Sequence, residues 1–221
     1  MNQQESLITN NFYIPGLEKG RLPWGEAATP LEKKETIYTD DEVYWLPFIR
    51  PDHPHYREWA RRQLSSRRLV RYLVGQKKEI SILEIGCGNG WFSFQLSTIP
   101  GSKVVGLDRD YIELSQAARV FRQQPNLKFI YGDLYSDILQ GLTFDVIVLA
   151  GTLECFPSAG KVFDNLLPLL TEDGEIHILD SLIYRPEELT RFHPDYLHDP
   201  RSLWNRLFRR KEIWPWIRIK R

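Results

Sequence analysis

The residues best arranged for chemistry are one run of alternate glycines and the acids around it. Glu84 stands two residues before Gly86, and Gly86, Gly88 and Gly90 alternate with Cys87 and Asn89. Glycines at alternate positions let a backbone turn sharply and approach a ligand closely, because no Cβ is in the way. The run follows Ile80-Ser81-Ile82-Leu83-Glu84-Ile85, whose apolar residues fit a strand covered on both faces. A helix-compatible apolar run, Trp91 to Ser97, comes after it. Strand, glycine turn and helix open a Rossmann-like nucleotide-binding unit, and an acid ending the next strand would complete it. Asp108 is that acid, after Val104-Val105-Gly106-Leu107.

The elements needed to hold these residues can be read along the chain. Strands are expected at about 80–85, 103–108, 127–131, 144–150 and 175–180. Helices are expected at about 90–98, 110–123 and 158–170, with a short one near Asp133–Leu139. Repeated βα units of this length imply an α/β fold: a doubly wound, mostly parallel sheet with helices on both faces. Ligands bind such sheets beyond the C-terminal strand ends, beside the first strand. Asp108, Asp133, Ala150-Gly151 and the glycine turn all fall there.

The spacing Gly86-x-Gly88-x-Gly90 is not the G-x-G-x-x-G of dinucleotide binding, which argues against a nicotinamide oxidoreductase. At Leu83-Glu84-Ile85-Gly86-Cys87-Gly88-Asn89-Gly90 the sequence instead resembles the class I S-adenosylmethionine-dependent methyltransferases. The resemblance continues through Val105-Gly106-Leu107-Asp108, Tyr131-Gly132-Asp133-Leu134 and Phe144-Asp145-Val146-Ile147, over roughly residues 78–181. It implies S-adenosylmethionine as cofactor. The turn Gly86-Cys87-Gly88-Asn89-Gly90 would lie against the methionyl chain and ribose, and Glu84 would meet the positive amino end. Asp108 would accept the ribose hydroxyls. Asp133 and Leu134 would meet the adenine, and Ala150-Gly151 would sit near the sulfonium. Arg109 departs from the apolar residue common in the family, and its guanidinium can stack on the ring. Cys87 reads as a small buried residue, not a nucleophile.

The reaction implied is direct displacement at a methyl carbon, in which the protein chiefly aligns the partners. Several relatives have His where Cys155 stands, which leaves Glu154 as the weak candidate for a base. The Asn/Asp-Pro-Pro-aromatic signature of amino-group and nucleic-acid methyltransferases is absent, which lowers the DNA adenine reading, and the aromatic flanks favour a small organic acceptor. No carboxylate cluster of the metal-dependent type ends the fourth strand, and no metal is expected. His53, His55, His193 and His198 are read as loop histidines rather than ligands.

Composition bounds the rest. The 221 residues carry no net charge, so no global field points to a polyanion. The distribution is uneven: residues 55–78 and 201–221 each hold eight Lys/Arg against one acid. Residues 55–75 read as a helix, with Trp59, Leu69 and Leu73 on its apolar side. Its basic face would suit an anionic headgroup or nucleic acid, although a solvated face is the plainer reading. A non-catalytic module using these flanks to meet an acidic partner or membrane is the alternative function. Two cysteines make no disulfide framework, and neither a leader nor a run of 18 apolar residues is seen, so a cytoplasmic protein is expected. The division expected is an irregular aromatic cap at 1–54, the cofactor-binding core with its leading helix at 55–181, and an extension at 182–221 completing sheet and pocket. Six of the seven tryptophans lie in the flanks, which suggests that they close an aromatic-lined acceptor pocket.

Overall fold

The structure, a computed structural model, describes residues 11–14, 38–76, 79–181, 197–198 and 217–220. Its elements run β1 (Phe12–Tyr13), α1 (Asp40–Trp45), α2 (Tyr56–Val74), β2 (Ile80–Ile85), α3 (Trp91–Ser97), β3 (Ser102–Asp108), α4 (Tyr111–Val120), β4 (Leu127–Tyr131), β5 (Phe144–Ala150), α5 (Ala159–Leu166), β6 (Leu170–Leu179), β7 (Leu197–His198) and β8 (Ile217–Lys220). They form one sheet in the order β1-β4-β3-β2-β5-β6-β8-β7. Strands β1 to β6 pair in parallel, while β8 runs antiparallel to both β6 and β7. The strand order reverses at β2, which has β3 on one side and β5 on the other. This is the Rossmann-like arrangement anticipated above.

The period of two along β2 decides which way its side chains point. Ile80 and Ile82 join the core beneath α2, α3 and α4, with Trp59, Leu69, Phe92, Leu96 and Leu114. Leu83 and Ile85 face the opposite layer, where Phe163 and Leu166 of α5 meet Ile147 and Ile178. Glu84 therefore shares a face with Ile82 and is carried under α3. Burial of each such aliphatic or aromatic side chain contributes roughly 1.5–3 kcal/mol.

Helix α2 is pinned to the sheet at two points. The Tyr72 hydroxyl donates to Glu175 Oε2 at 2.7 Å, and the Ser65 hydroxyl donates to Asp180 Oδ2 at 2.6 Å. Burial alone would raise the Glu175 carboxyl, but His177, Tyr72 and Lys220 around it hold it down at about 2. Lys220 and Arg218 come from β8, so the same acid ties the antiparallel strand to β6 and α2.

The elements differ from expectation mainly at their ends. Helix α4 stops at Val120, and the 158–170 helix stops at Leu166, giving way to a tighter turn at Leu167–Leu169 around Pro168. Near 133–139 only a 3-10 turn forms, Asp137–Leu139. Two elements appear in the cap that was expected to be irregular. Helix α1 begins with a reciprocal cap, in which Thr39 Oγ1 accepts from the Glu42 amide and Glu42 Oε2 accepts from the Thr39 amide. Strand β1 pairs with β4, Phe12 beside Phe129, and Asn11 donates through Nδ2 to the Ala118 carbonyl at 3.0 Å. No helix among the described residues is long and apolar enough to cross a membrane.

Candidate active site

A cleft of about 320 Å³ opens at the C-terminal end of β2. Its floor is the glycine turn. Gly86, Gly88 and Gly90 all have positive φ, at 72°, 52° and 74°. The space a Cβ would fill is occupied at each one: by the Thr152 side chain at Gly86, by Glu113 Oε2 2.7 Å away at Gly88, and by Phe129 and Ala117 at Gly90. The alternate glycines thus serve two ends, leaving bare backbone at the cleft and letting α4 and β4 close in behind it.

Glu84 is 2% exposed at the base of this cleft. The Ser93 hydroxyl donates to its Oε2 at 2.5 Å. Burial pushes its carboxyl up to about 8, Ser93 opposes this, and the nearby Asp108 adds to it. A buried acid in this state is neutral near pH 7 until a cation reaches it.

Asp108 ends β3 with both oxygens engaged. Oδ2 accepts from the Gly88 amide and Oδ1 from the Asp110 amide, each at 2.7 Å. Burial raises its carboxyl, and those two amides work against the shift. The carboxylate locks the glycine turn to the neighbouring strand end while its remaining lone pairs face the cleft. Asp108→Asn must present an amide NH₂ to one of those backbone donors. Its cofactor affinity is expected to fall about tenfold, or ~1.4 kcal/mol, and its melting temperature to drop by roughly 5 °C, because one backbone donor loses its acceptor. Isothermal titration beside thermal denaturation checks both.

Glu84, Gly86, Cys87, Gly88, Asn89, Asp108, Ala150 and Gly151 all line the cleft. Gly90 lies just behind it as the cap of α3. The Thr152 hydroxyl donates to the Ile85 carbonyl at 3.0 Å and joins the wall. Arg109, Asp133 and Leu134 occupy the adjoining strand ends outside these walls. Arg109 is exposed, Leu134 is buried, and Asp133 Oδ1 accepts from the Tyr135 amide at 2.9 Å. Glu154 is exposed on a 3-10 turn after β5, also outside the walls. Cys87 is buried, and burial raises its thiol well above the ordinary range, so it carries no thiolate there.

Side chains from the chain's N-terminal part close the other side: Tyr38, His55, Glu58, Trp59 and Arg62. Trp59 donates through Nε1 to the Tyr38 hydroxyl at 2.8 Å and meets Trp91 edge-to-face at 5.1 Å. Of the flank tryptophans, Trp59 is thus on the cleft, whereas Trp45 is 63% exposed. Trp24, Trp204, Trp214 and Trp216 lie outside the described residues. Sequence reasoning missed Arg62, because a basic residue on an amphipathic helix reads as solvated. It also missed Glu113, whose only signal is its spacing one helical turn into α4. Among the described residues, no three His, Cys, Asp or Glu side chains gather as a metal would require.

The residues of this cleft fit an amino-acid nucleoside: bare backbone, a buried acid for a cation, and an acid for hydroxyls. A family profile described as "Methyltransferase domain" matches residues 76–204, more than half of the chain. The chain belongs to this methyltransferase family. The profile takes in the glycine turn, Asp108 and the whole of β2 to β6. Malonyl-[acyl-carrier protein] O-methyltransferase 1 of Ilyobacter polytropus is 32% identical over 110 residues, 49% of this chain and 41% of that protein. The tRNA U34 carboxymethyltransferase of Alcanivorax borkumensis is 28% identical over 185 residues, 80% of this chain and 56% of its own length. The chain thus spans about half the length of the curated relatives it matches. Among solved structures, the plantazolicin methyltransferase BpumL in complex with SAH superposes with a TM-score of 0.56. That match covers 82% of this chain and 95% of BpumL at 18% identity, so the methyltransferase fold is shared with it. The class I resemblance drawn from the glycine turn therefore holds.

Proposed function

We propose that this protein transfers the methyl group of S-adenosylmethionine to a small organic acceptor by direct displacement. The observation that carries this reading is the cleft itself: Glu84, the bare glycine turn and Asp108 converge at the switch point of the sheet. The relatives support it, since a malonyl-carrier O-methyltransferase, a demethylmenaquinone methyltransferase and a plantazolicin methyltransferase are named for organic acceptors.

The bound cofactor supplies a methyl carbon already activated by the adjacent sulfonium. The chain's own residues bind, orient and exclude water. Glu84 ionises against the ammonium end, its proton leaving to solvent. Asp108 takes the ribose hydroxyls and keeps the glycine turn in register. Ala150 and Gly151 flank the reacting centre, where the absence of a large side chain leaves an approach path for the acceptor. Asp133 and Leu134, with Arg109 beside them, take the adenine end from the adjoining strand ends, outside the cleft walls. Tyr38, His55 and Trp59 offer an aromatic wall to the acceptor on the α2 side. With the displacement so activated, alignment is the main task, and no side chain needs to serve as base for a good nucleophile. In this scheme the core at 55–181, joined by Tyr38 from the cap at 1–54, holds the cofactor, and 182–221 is the extension that completes sheet and pocket. The two free cysteines agree with a reducing cytoplasmic setting.

Calorimetry with S-adenosylmethionine and with NAD tests the cofactor. Binding in the micromolar range to the first and none to the second is expected. Label transfer from methyl-labelled cofactor into a metabolite extract tests the reaction. Binding without transfer would favour the alternative, a binding module, and binding of NAD alone would sink the proposal.

A further inference from the structure

Helix α2 carries a face that the cleft does not use. Arg57, Arg61, Leu64, Arg68 and Arg71 follow the three- and four-residue steps of a single helix face, and Arg67 and Val74 flank them. Arg57, Leu64, Arg67, Arg71 and Val74 are all exposed. The helix contains one acid, Glu58, and that side chain lines the cleft, so no carboxylate of α2 lies among these arginines. Apolar side chains are exposed in the same stretch. Tyr44, Trp45, Phe48, Tyr56, Leu64 and Val74 make up most of the large apolar side chains exposed among the described residues. Leu64, 64% exposed, stands in the middle of the arginine face. The inner sides of α1 and α2 share one core, where Val43 and Leu46 join Trp59, Leu69 and Leu73, so their exposed sides look outward from the same layer of the fold.

A face that is cationic and apolar at once narrows the partner. The whole chain has no net charge, so the attraction is local, acting over about 10 Å at ordinary salt. Guanidinium groups match phosphate oxygens, which nucleic acids and anionic lipids both present. The apolar residues separate the two. Leucine and valine have no ring on which a base can stack, and a phosphate backbone gives them nothing to bury against. Between lipid headgroups the same side chains reach the acyl boundary, while arginine stems lie along it and hold their charges at the phosphates. Tyr44, Trp45 and Phe48 fit that depth, since aromatic rings settle at the headgroup level. We propose that the outer face of α2, with the aromatic end of α1, seats the protein peripherally on an anionic lipid bilayer. This assignment does not depend on the cofactor reading, because none of these residues lines the cleft.

Co-sedimentation of the full chain with phosphatidylcholine vesicles carrying about 30% phosphatidylglycerol tests it, beside vesicles of phosphatidylcholine alone. The wild type is expected to bind the anionic vesicles about a hundredfold more tightly. Raising salt from about 0.1 M to about 0.5 M should remove most of that preference. Arg57→Gln, Arg67→Gln and Arg71→Gln combined should weaken binding about a hundredfold, at roughly fivefold per arginine. Leu64→Gln, which changes no charge, should weaken it several-fold. Both variants should melt with the wild type, since only exposed side chains change. Failure of the wild type to distinguish the two vesicles overturns the proposal, and so does full binding by the triple variant. Full binding by Leu64→Gln overturns the lipid assignment, because charge alone would serve any polyanion. Tighter binding to an RNA duplex than to the anionic vesicles overturns it in favour of a nucleic-acid face.

Discussion

Glu84→Gln will make the ligand-free protein more stable at alkaline pH and, in the same stroke, remove its grip on the cofactor. Burial raises the Glu84 carboxyl from an ordinary 4.5 to about 8. The folded chain therefore holds a proton that the unfolded chain releases between those values. Stability from this group is fully present below about pH 4.5, declines as pH rises, and is gone above about pH 8. Above that point the folded state contains an ionised, buried acid at a cost of roughly 5 kcal/mol relative to the unfolded chain. Glutamine keeps an oxygen for the Ser93 hydroxyl and cannot ionise. The variant is expected to melt roughly 10 °C above the wild type at pH 9, given 2–4 °C per kcal/mol for a chain of this size. At pH 5 the two should melt closely together. Cofactor binding moves the other way. Wild-type affinity should rise with pH up to about 8 as the proton leaves more readily. The glutamine variant, lacking the anion, should bind at least about tenfold more weakly with a flat pH profile. Melting curves from pH 5 to 9, with and without ligand, check both halves. A wild type whose stability does not fall between pH 5 and 8 would remove the premise.

The second large effect concerns packing. Gly90→Ala places a methyl group 2.6 Å from Phe129 Cζ and 2.8 Å from the Ala117 Cβ, both in the core under α4. Neither neighbour is the free end of a flexible chain. The residue must also hold a φ of 74°, which costs a side chain about 1 kcal/mol or more. Adding an overpacking cost of about 1–3 kcal/mol gives a loss near 3 kcal/mol, or a drop in melting temperature of roughly 10 °C. Gly141→Ala is the matched comparison. Its φ is 78°, but nothing lies within 4 Å of its Cβ position. It should lose only the conformational part, about 1 kcal/mol. The difference between the two isolates the packing. If both variants lose the same amount, the glycine turn is not closed from behind as described.

The parts of the site visible in the sequence are those fixed by local pattern. The alternation in Ile80–Ile85 shows a strand, the glycines show where it must turn, and the next acid in phase, Asp108, follows from the length of a βα unit. What escaped was set by contacts far apart in sequence. Arg62 looks like any arginine on a helix until Ser65–Asp180 and Tyr72–Glu175 fix the rotation of α2. Strand β1 has two residues and no pattern of its own; its conformation is supplied by β4. Helix α1 was legible in principle, since Thr39 followed by Glu42 is a capping box, but six residues are too few to show a period. The shortening of the 158–170 helix was likewise written in Pro168. Of the short helix expected near 133–139 only the 3-10 turn Asp137–Leu139 forms, because Asp133 accepts from the amide two residues on, which spends the start of that stretch on a turn.

The pairing of Phe12 with Phe129 has a consequence for how the chain is made. A strand at the very start of the sequence takes as its template a strand synthesised more than a hundred residues later. A parallel neighbour cannot be reached by a hairpin, so nothing local can hold residues 11–14 in place beforehand. The Asn11 side chain, bound to the Ala118 carbonyl, likewise waits for α4. During translation the core from β2 onward can assemble as its βα units emerge, while the leading segment stays unengaged until β4 is exposed. Residues 11–14 thus find their place only after β4 does, and their arrival covers part of the open edge of β4, which would otherwise offer its unpaired amides to a neighbouring chain.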